Sequence, residues 1–170
     1  MAALESFGKD PVTERNLFVL ELDSASDLRL LELPGEHFAC LIAWDSCGES
    51  PQVVEQFARQ VVGAGAAYVC CWGTECESVH DAFDTVDSYP NIGAPDGQVI
   101  ITAWHSDEPL YEAIWFFLCC TLPDEYAQES LTSAVAISVG NSDYSSQFRS
   151  ALKDPRAFVA RVVDEQENVV

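Results

Sequence analysis

Two histidines and a cysteine in the middle of the chain have neighbours that suit acid–base or metal chemistry. His105 is closely followed by Asp107 and Glu108, and an imidazole beside carboxylates is an arrangement that moves protons. Cys76 and His80 lie four residues apart, so on a helix they share one face, and with His105 they would form a Cys/His/His zinc set. Plainer explanations compete, because the two acids suit the first turn of a helix and Cys76 belongs to an apolar stripe. We therefore expect no metal and no cofactor, and we assign no catalytic residue.

The seven cysteines include two adjacent pairs, Cys70-Cys71 and Cys119-Cys120. Neighbours on a strand point to opposite faces, so such pairs are poor material for disulfides and indicate reduced, buried thiols. Cys47 and Cys71 are candidates for a Cys–His nucleophile pair, but the sequence does not indicate which cysteine lies near which histidine. The chain has no G-x-S-x-G hydrolase motif. These clues leave an enzyme open and favour a protein that works by binding.

Strands and helices that alternate along the chain must position these residues. Four apolar runs predict buried strands, and each is followed by a segment of helical spacing. The runs cover residues 37–44, 66–72, 98–104 and 132–139. The predicted helix starts are Ser50-Pro51, a capping box of Thr74 and Glu77, Ser106 or Asp107 with Pro109 in the first turn, Ser142 or Asp143, and Asp154-Pro155. Such alternation implies a parallel sheet with right-handed crossovers.

We predict one α/β domain over residues 1–170, a three-layer αβα sandwich with a mainly parallel sheet of four to five strands, flavodoxin-like or Rossmann-like. The first 36 residues leave alternatives open. LFVLEL (17–22) fits an extra edge strand, and DLRLLEL (27–33) fits a strand or a short helix. Residues 165–170 are predicted to be a flexible acidic tail. No apolar run is long enough to span a bilayer and the N-terminus lacks a secretory pattern, so we expect a cytoplasmic location.

Three predicted strands end alike, in tryptophan followed by a small or polar residue: AWDS at 43–46, CWGT at 71–74 and AWHS at 103–106. In open parallel sheets, ligands bind beyond the carboxyl ends of the strands. A ligand pocket at that edge would use Asp45, Trp72, Trp104, His105, Cys76 and His80. Alternatively, the indole rings are hydrophobic covers over the end of the core. The first strand is not followed by a glycine-rich phosphate motif, which argues against a dinucleotide.

The charge balance narrows the class of partner. Twenty-eight acidic residues face eight basic ones, and the formal net charge is −20. Nucleic acids and anionic membranes are bound through Lys and Arg, so we expect direct binding of neither. A basic protein is the expected partner, because opposite charges attract over long range. The alternative is an ordinary solvated acidic surface. The predicted docking face consists of Glu75, Glu77, Asp81, Asp84 and Asp87.

Two segments, 68–84 and 99–118, resemble a bacterial family that is a domain of unknown function. Its pattern C-W-G-x-x-C-E-x-V-H-D-x-F-D is followed by T-x-W-H-x-D-E-x-L-x-E-A-x-W-F-F. The resemblance extends over about residues 37–122 and implies a bacterial protein, without an assigned activity. Matching positions here are Cys71, Trp72, Gly73, Cys76, Glu77, His80, Asp81, Phe83, Asp84, Trp104, His105, Asp107, Glu108, Glu112, Trp115, Phe116 and Phe117.

Two classes of function follow from these observations. The first is a small acidic cytosolic binding protein, of the accessory, immunity or inhibitor type, that docks a basic protein. The apolar helix 110–120 would then be buried or would supply a homodimer contact. The second is a small-ligand or nucleotide pocket, with or without catalysis, at the carboxyl ends of the parallel strands. High salt would weaken the first kind of binding and not the second.

Overall fold

The computed structural model describes residues 3–29 and 31–169. Within them a six-stranded sheet lies between two layers of helices, which confirms the predicted three-layer α/β architecture, although the sheet has one strand more than the four to five predicted. The strands are β1 (Leu4–Lys9), β2 (Asn16–Leu22), β3 (His37–Trp44), β4 (Ala66–Trp72), β5 (Ile101–His105) and β6 (Leu131–Val139). The helices are α1 (Pro51–Gly63), α2 (Cys76–Asp87), α3 (Leu110–Cys119), α4 (Ser142–Lys153) and α5 (Pro155–Glu167). Short 3₁₀ turns cover Ala25–Asp27 and Glu125–Ala127.

The strand order is β1-β2-β6-β3-β4-β5. β1 runs antiparallel to β2, and the other described pairs are parallel. β6 is inserted between β2 and β3, so the chain returns from the β5 edge to the middle of the sheet. α1 leaves β3 over one face and α4 leaves β6 over the other, so a crevice opens between the ends of these two strands. Such a switch point is where open α/β sheets bind ligands.

Two apolar cores lie on the two faces of the sheet. α1 and α2 pack on one face through residues such as Phe57 and Phe83, and α3, α4 and α5 pack on the other through residues such as Phe117. The adjacent Cys70 and Cys71 belong to different cores, as the alternation along a strand requires. β3 and β4 are buried on both faces, which explains why their sequences are continuous apolar runs.

The predicted strands agree best with the structure where the prediction rests on a continuous apolar run. The runs 37–44 and 66–72 match β3 and β4 residue for residue. β5 begins at Ile101 instead of residue 98, and β6 begins one residue earlier than predicted. Ser50 caps α1, because its hydroxyl accepts from the N–H of Val53 at 3.3 Å. Asp154 caps α5 by the same kind of bond.

The predicted capping box of Thr74 and Glu77 is wrong. α2 starts one residue later, and its N-cap is Glu75, which has φ 63° and no side-chain cap. The Thr74 N–H instead donates to Asp45 at 2.9 Å, so Thr74 belongs to a contact between strand ends. A tertiary hydrogen bond has therefore replaced the local one that the sequence suggests.

The start of α3 differs from prediction by a few residues, whereas α4 begins at Ser142, as predicted. Pro109 occupies the N-cap of α3 in place of Ser106 or Asp107, and it offers no side-chain acceptor. Asn141 caps α4, where its side-chain oxygen accepts from the N–H of Asp143 at 2.9 Å. Both helices still begin directly beyond a strand end, so their first turns lie at the same edge of the sheet.

The N-terminal segment completes the sheet. The strand predicted at 17–22 is present as β2, but it lies inside the sheet because β1 covers its outer edge. Of the predicted segment 27–33, Asp27 ends a 3₁₀ turn, Leu30 lies outside the described residues, and the others form no helix or strand. α5 continues to Glu167, so the predicted acidic tail is helical in its first part, and its last residue also lies outside the described residues.

The apolar helix α3 is buried largely within the chain. Five of its residues are buried in the core below it, and α5 covers part of its outer side. Tyr111 and Cys119 remain exposed. A homodimer through 110–120 stays a prediction, and little apolar surface is left to support it. Among the described residues, no helix is long and apolar enough to cross a membrane.

Gly73 is a glycine whose replacement should be costly, because the end of β3 lies directly against it. It has φ +121°, and a Cβ there would lie 2.3 Å from the carbonyl oxygen of Trp44. We expect Gly73→Ala to lower the free energy of unfolding by about 3 kcal/mol, measured by urea denaturation. The control is Gly97→Ala, where φ is +82° and the space is open. That variant should cost about 1 kcal/mol. Equal costs would contradict the close approach of the two strand ends.

Thiol labelling should distinguish the cysteines by burial. Burial raises the pKa of Cys40, Cys70 and Cys71 above the ordinary thiol range, so thiolate is scarce at these positions. Cys47 and Cys119 are exposed. We expect Ellman's reagent to modify Cys47 rapidly in the native protein, Cys119 more slowly because partial burial also raises its pKa, and the buried thiols only after unfolding. Rapid modification of Cys70 or Cys71 under native conditions would contradict the fold.

Candidate functional site

A cavity of about 750 Å³ opens beyond the carboxyl ends of β3, β4 and β5. We call it the strand-end cavity. Its walls come from the loop after β3, from the start of α2, from the 105–108 segment after β5 and from the first turn of α4. Four separate parts of the chain therefore meet there, as expected beyond the switch point of an open parallel sheet. Four of the six predicted ligand-binding residues line it, namely Asp45, Trp72, Cys76 and His105.

Asp45 links three of these parts. Its Oδ1 accepts from the backbone N–H of Thr74 at 2.9 Å, and its Oδ2 accepts from the hydroxyl of Tyr144 at 2.5 Å. Partial burial would raise the pKa of this carboxyl, but the two hydrogen bonds outweigh it and hold the pKa below its usual value. Burial of the phenol raises the pKa of Tyr144, and the Asp45 carboxylate raises it further. Asp45 is therefore an ionised group that joins β3, β4 and α4.

His105 and Glu108 form a carboxylate–imidazole pair at the end of β5. The Nδ1 of His105 faces Oε1 of Glu108, three residues ahead in the chain. Its ring packs edge-on against Phe116 with 4.8 Å between ring centroids. The Nε2 of His105 is buried, and among the described residues it has no hydrogen-bond partner. Of the residues predicted as an acid–base group, His105 and Glu108 are in contact, whereas Asp107 lines the cavity without joining the pair.

Trp72 and Tyr144 give the cavity an aromatic wall. The rings meet edge to face with 5.1 Å between centroids. The indole N–H of Trp72 donates to the carbonyl oxygen of Glu108 at 2.8 Å, which holds the segment after β5 against the end of β4. Trp72 therefore acts both as a cover with one satisfied N–H and as part of the cavity. Tyr144 was not among the predicted ligand-binding residues. The signal that could have identified it is its position in the first turn of α4, directly after β6.

The other two tryptophans divide between the two predicted roles. Trp44 is 2% exposed and packs on Phe57, so it is a cover over the core. Trp104 is 47% exposed and lies on the opposite side of β5 from His105, because neighbours on a strand alternate. It packs on His80 with 4.6 Å between ring centroids. Neither Trp104 nor His80 lines the strand-end cavity. The structure therefore does not bring them together with His105 in this cavity, and a role for them in ligand binding stays a prediction.

His80 takes part in a hydrogen-bond network between α2 and β5. Its Nε2 lies 2.9 Å from the hydroxyl of Thr102, and its Nδ1 lies 3.2 Å from Asp81. Thr102 also donates to Asp84 at 2.6 Å. His80, Asp81 and Asp84 place three potential metal ligand atoms within 4.8 Å of one another. Because the two ring nitrogens already face Thr102 and Asp81, we interpret the cluster as a polar network that attaches α2 to β5.

Cys76 lies at the first turn of α2, on the floor of the cavity. The backbone N–H groups of His105, Cys76 and Glu77 point at its sulfur and would favour a thiolate. Burial has the larger effect, and the pKa of Cys76 is raised. The Cys/His/His zinc set does not form around it, because His80 and His105 lie on opposite sides of β5. Of the two predicted nucleophiles, Cys71 is buried in the core and Cys47 is exposed outside this cavity.

A second cavity of about 440 Å³ lies between α1 and α2 and shares Glu75, Ser78 and Asp81 with the first. We call the two cavities together the acidic groove. It is lined by eight carboxylates, and no Lys or Arg among the described residues lines either cavity. These carboxylates belong to Asp45, Glu49, Glu55, Glu75, Glu77, Asp81, Asp107 and Glu108.

The predicted docking face on α2 is only partly available to a partner. Glu75, Glu77 and Asp81 line the acidic groove. Asp84 accepts from Thr102, and Asp87 accepts from the N–H groups of Ala94 and Ile100, at 2.7 and 3.0 Å. Asp87 therefore holds the loop before β5 in place. The structure adds carboxylates from outside α2 that sequence reasoning did not assign to this surface.

Fold and site together define an α/β protein with an acidic cavity at the carboxyl ends of its parallel strands. A family described as "Domain of unknown function (DUF7684)" matches residues 17–155. This span is most of the chain, so the protein belongs to that family, which confirms the predicted resemblance to a domain of unknown function. No curated protein and no solved structure matches the chain.

The hydrogen bonds to Asp45 should make its contribution to stability depend on pH. A carboxyl with a lowered folded-state pKa stabilises the fold above its unfolded-state pKa of about 3.8, and this contribution is lost as pH falls through the lower value. We expect Asp45→Asn to cost about 1 kcal/mol at pH 7. The difference from the wild type should shrink below pH ~3.8, measured by urea denaturation at several pH values.

Asp96→Asn is the control, since Asp96 is an exposed loop residue. Its effect should be near zero at every pH. A cost of Asp45→Asn that is the same at pH 7 and pH 3 would show that the charge of Asp45 does not stabilise the strand ends.

Proposed function

We propose that the protein is a small acidic binding protein that docks a basic protein partner through the acidic groove. The observation that carries the proposal is the concentration of eight carboxylates around one concave surface without a lining Lys or Arg. Like charges at close range repel, so this arrangement stores unfavourable electrostatic energy that a bound cationic surface relieves. A basic partner is the class of macromolecule that supplies many such charges at once.

The basic residues of the chain offset little of this charge. Arg149 bonds to Glu5 and Glu21 at 2.7 and 2.8 Å, close to β1 and β2 and away from the groove. Arg59 forms an ion pair with Glu55 at 2.8 Å. Among the described residues, no other Lys or Arg forms an ion pair with a groove carboxylate. The remaining groove charges face solvent or polar neighbours. A negative potential therefore extends from this edge of the molecule and would steer a basic partner toward it.

An accessory, immunity or inhibitor role fits such a surface, because carboxylates arranged along a groove can occupy the site where a basic protein holds a phosphate backbone. We propose that the protein acts in the cytoplasm of a bacterium. Seven free cysteines support a reducing compartment.

A small-ligand or catalytic pocket is the second candidate. The pair of His105 with Glu108 favours it, because a carboxylate that orients an imidazole is a common feature of acid–base sites. Native mass spectrometry of the purified protein tests this candidate. A stoichiometric small molecule that is lost on unfolding would favour it over docking.

Charge reversal in the groove should abolish docking. We expect Glu77→Lys with Asp81→Lys to weaken capture of a basic partner at least tenfold, because both side chains are exposed and line the groove. The measurement is a pull-down from native lysate, eluted in salt steps and read by mass spectrometry. The wild type should release the partner at moderate salt, since exposed charges are screened beyond about 10 Å at 0.1 M salt.

The matched control is Glu165→Lys with Glu167→Lys, which changes the net charge equally on exposed positions of α5 outside the groove. It should retain the partner. Retention by the groove variant, or capture of a partner without an excess of Lys and Arg, would contradict the proposal.

A further inference from the structure

The outer edge of β5 is open. β5 is the last strand of the sheet, and within the described residues its backbone pairs with β4 alone. Alternate residues of a strand turn their N–H and C=O groups to opposite sides, so part of the β5 backbone points away from the sheet. Among the described residues, no loop backbone bonds to residues 101–104, which we call the β5 edge. Unpaired backbone groups at a sheet edge are a template for another strand.

The opposite edge of the sheet is protected by devices that β5 lacks. β1 carries Glu5 and Lys9, and its register shifts between Ser6 and Lys9. Charged side chains and bulges are common means of preventing an edge from pairing with another strand. β5 contains no Lys, Arg, Asp, Glu or Pro, and its pairing with β4 is regular. Of the two edges, β5 is therefore the one suited to receive a strand.

The side chains on the α2 side of the β5 edge indicate which segment fits. Trp104 is half exposed there, and its ring packs on His80. Two carboxylates of α2 lie beside it, because Asp84 accepts from Thr102 at 2.6 Å and Asp81 faces His80. The side chains of Asp81 and Asp84 are 72% and 52% exposed. Directly opposite residues of paired strands share a face, so a cationic side chain opposite Thr102 or Trp104 would meet these carboxylates.

The other side of the β5 edge is apolar. Ile101 and Ala103 are half-buried there and pack against the core that includes α3. A side chain opposite Ala103 in an added strand would extend this core and would meet no charge of β5 itself. The β5 edge therefore favours a segment in which Lys or Arg alternates with apolar residues.

A second copy of this chain fits the β5 edge poorly. Antiparallel pairing of two β5 strands about a two-fold axis would place both α2 helices on the same face of the joined sheet. Asp81 and Asp84 of the two copies would then lie across the junction from each other, and each copy carries a net charge of −20. Because like charges repel at such a junction, a basic segment is the better occupant.

We infer that the β5 edge binds an extended segment of a basic protein as an added strand, with Lys or Arg side chains beside Asp81 and Asp84. In strand addition the main chain supplies affinity and alternate side chains supply specificity. Trp104, Thr102 and Asp84 do not line the acidic groove, whereas Asp81 borders both surfaces. The inference therefore goes beyond the docking proposed for the groove and does not require it.

The test is a nuclear magnetic resonance titration of the full chain with acetyl-Thr-Lys-Val-Lys-Val-Thr-amide at constant ionic strength, followed by amide hydrogen exchange. We expect saturable binding that slows the exchange of alternate amides in residues 101–104 at least tenfold, because these amides gain acceptors. The same peptide with glutamate in place of both lysines should not bind. Both readouts use the wild-type chain, so neither depends on the folding of a variant.

A charge placed on the β5 edge should block the added strand. We expect Trp104→Lys to weaken binding of the lysine peptide at least tenfold, because it removes the exposed ring and adds a like charge. The matched control is Val12→Lys, which adds the same charge at an exposed apolar residue between β1 and β2. That variant should bind the peptide as the wild type does.

Four results would overturn the inference. The first two are no binding of the lysine peptide and equal binding of the glutamate peptide. The third is protection of the β5 amides that rises with protein concentration without peptide, which would show that a second copy occupies the edge. The fourth is a peptide that shifts the indole N–H of Trp72 and leaves the exchange of the β5 amides unchanged. Such a peptide binds in the acidic groove, so docking through the groove would stand and strand addition would be wrong.

Discussion

The carboxyl edge of the sheet depends on one carboxylate that joins three parts of the chain. Asp45 accepts hydrogen bonds from the backbone of Thr74 and from the hydroxyl of Tyr144, and so fixes the end of β3 against β4 and α4. The strand ends approach so closely there that only glycine fits at position 73. Without these contacts the loops beyond the strands would not enclose a cavity, and the carboxylates of the groove would not converge.

Concentrated negative charge at one edge is tolerated because the rest of the fold is strongly apolar. β3 and β4 are buried on both faces, and two separate cores lie above and below them. Such burial supplies the main stabilising free energy, which allows unfavourable electrostatics at a binding surface. The distribution is consistent with a division of roles, in which the sheet provides stability and its carboxyl edge provides binding.

Much of the scaffold was predictable, because a strand buried on both faces has to be a continuous apolar run. The bounds of β3 and β4 follow directly from that pattern. β1 was not predicted, since LESFGK mixes polar and apolar residues and becomes a strand by pairing with β2. The pairing of His105 with Glu108 could be anticipated from their spacing of three residues.

The composition of the site was harder to predict, because it depends on strand order. Tyr144 reaches the cavity only because β6 lies next to β3, and connection order does not determine this. The separation of Trp104 from His105 was open to prediction, as neighbours on a strand face opposite sides. The similarity of the three strand ends obscured it, because it grouped both residues with His80 in one pocket. The alternation of side chains along β5 correctly places Trp104 and His105 on opposite sides of the strand.

The central claim is that the acidic groove is the surface that meets the partner. Carboxyl footprinting with carbodiimide and glycine ethyl ester, read residue by residue by mass spectrometry, tests it most directly on the isolated complex. The account predicts protection of Glu75, Glu77 and Asp81 in the complex and unchanged labelling of Glu165 and Glu167. Unchanged labelling along the groove, with protection on α5 or elsewhere, would contradict it.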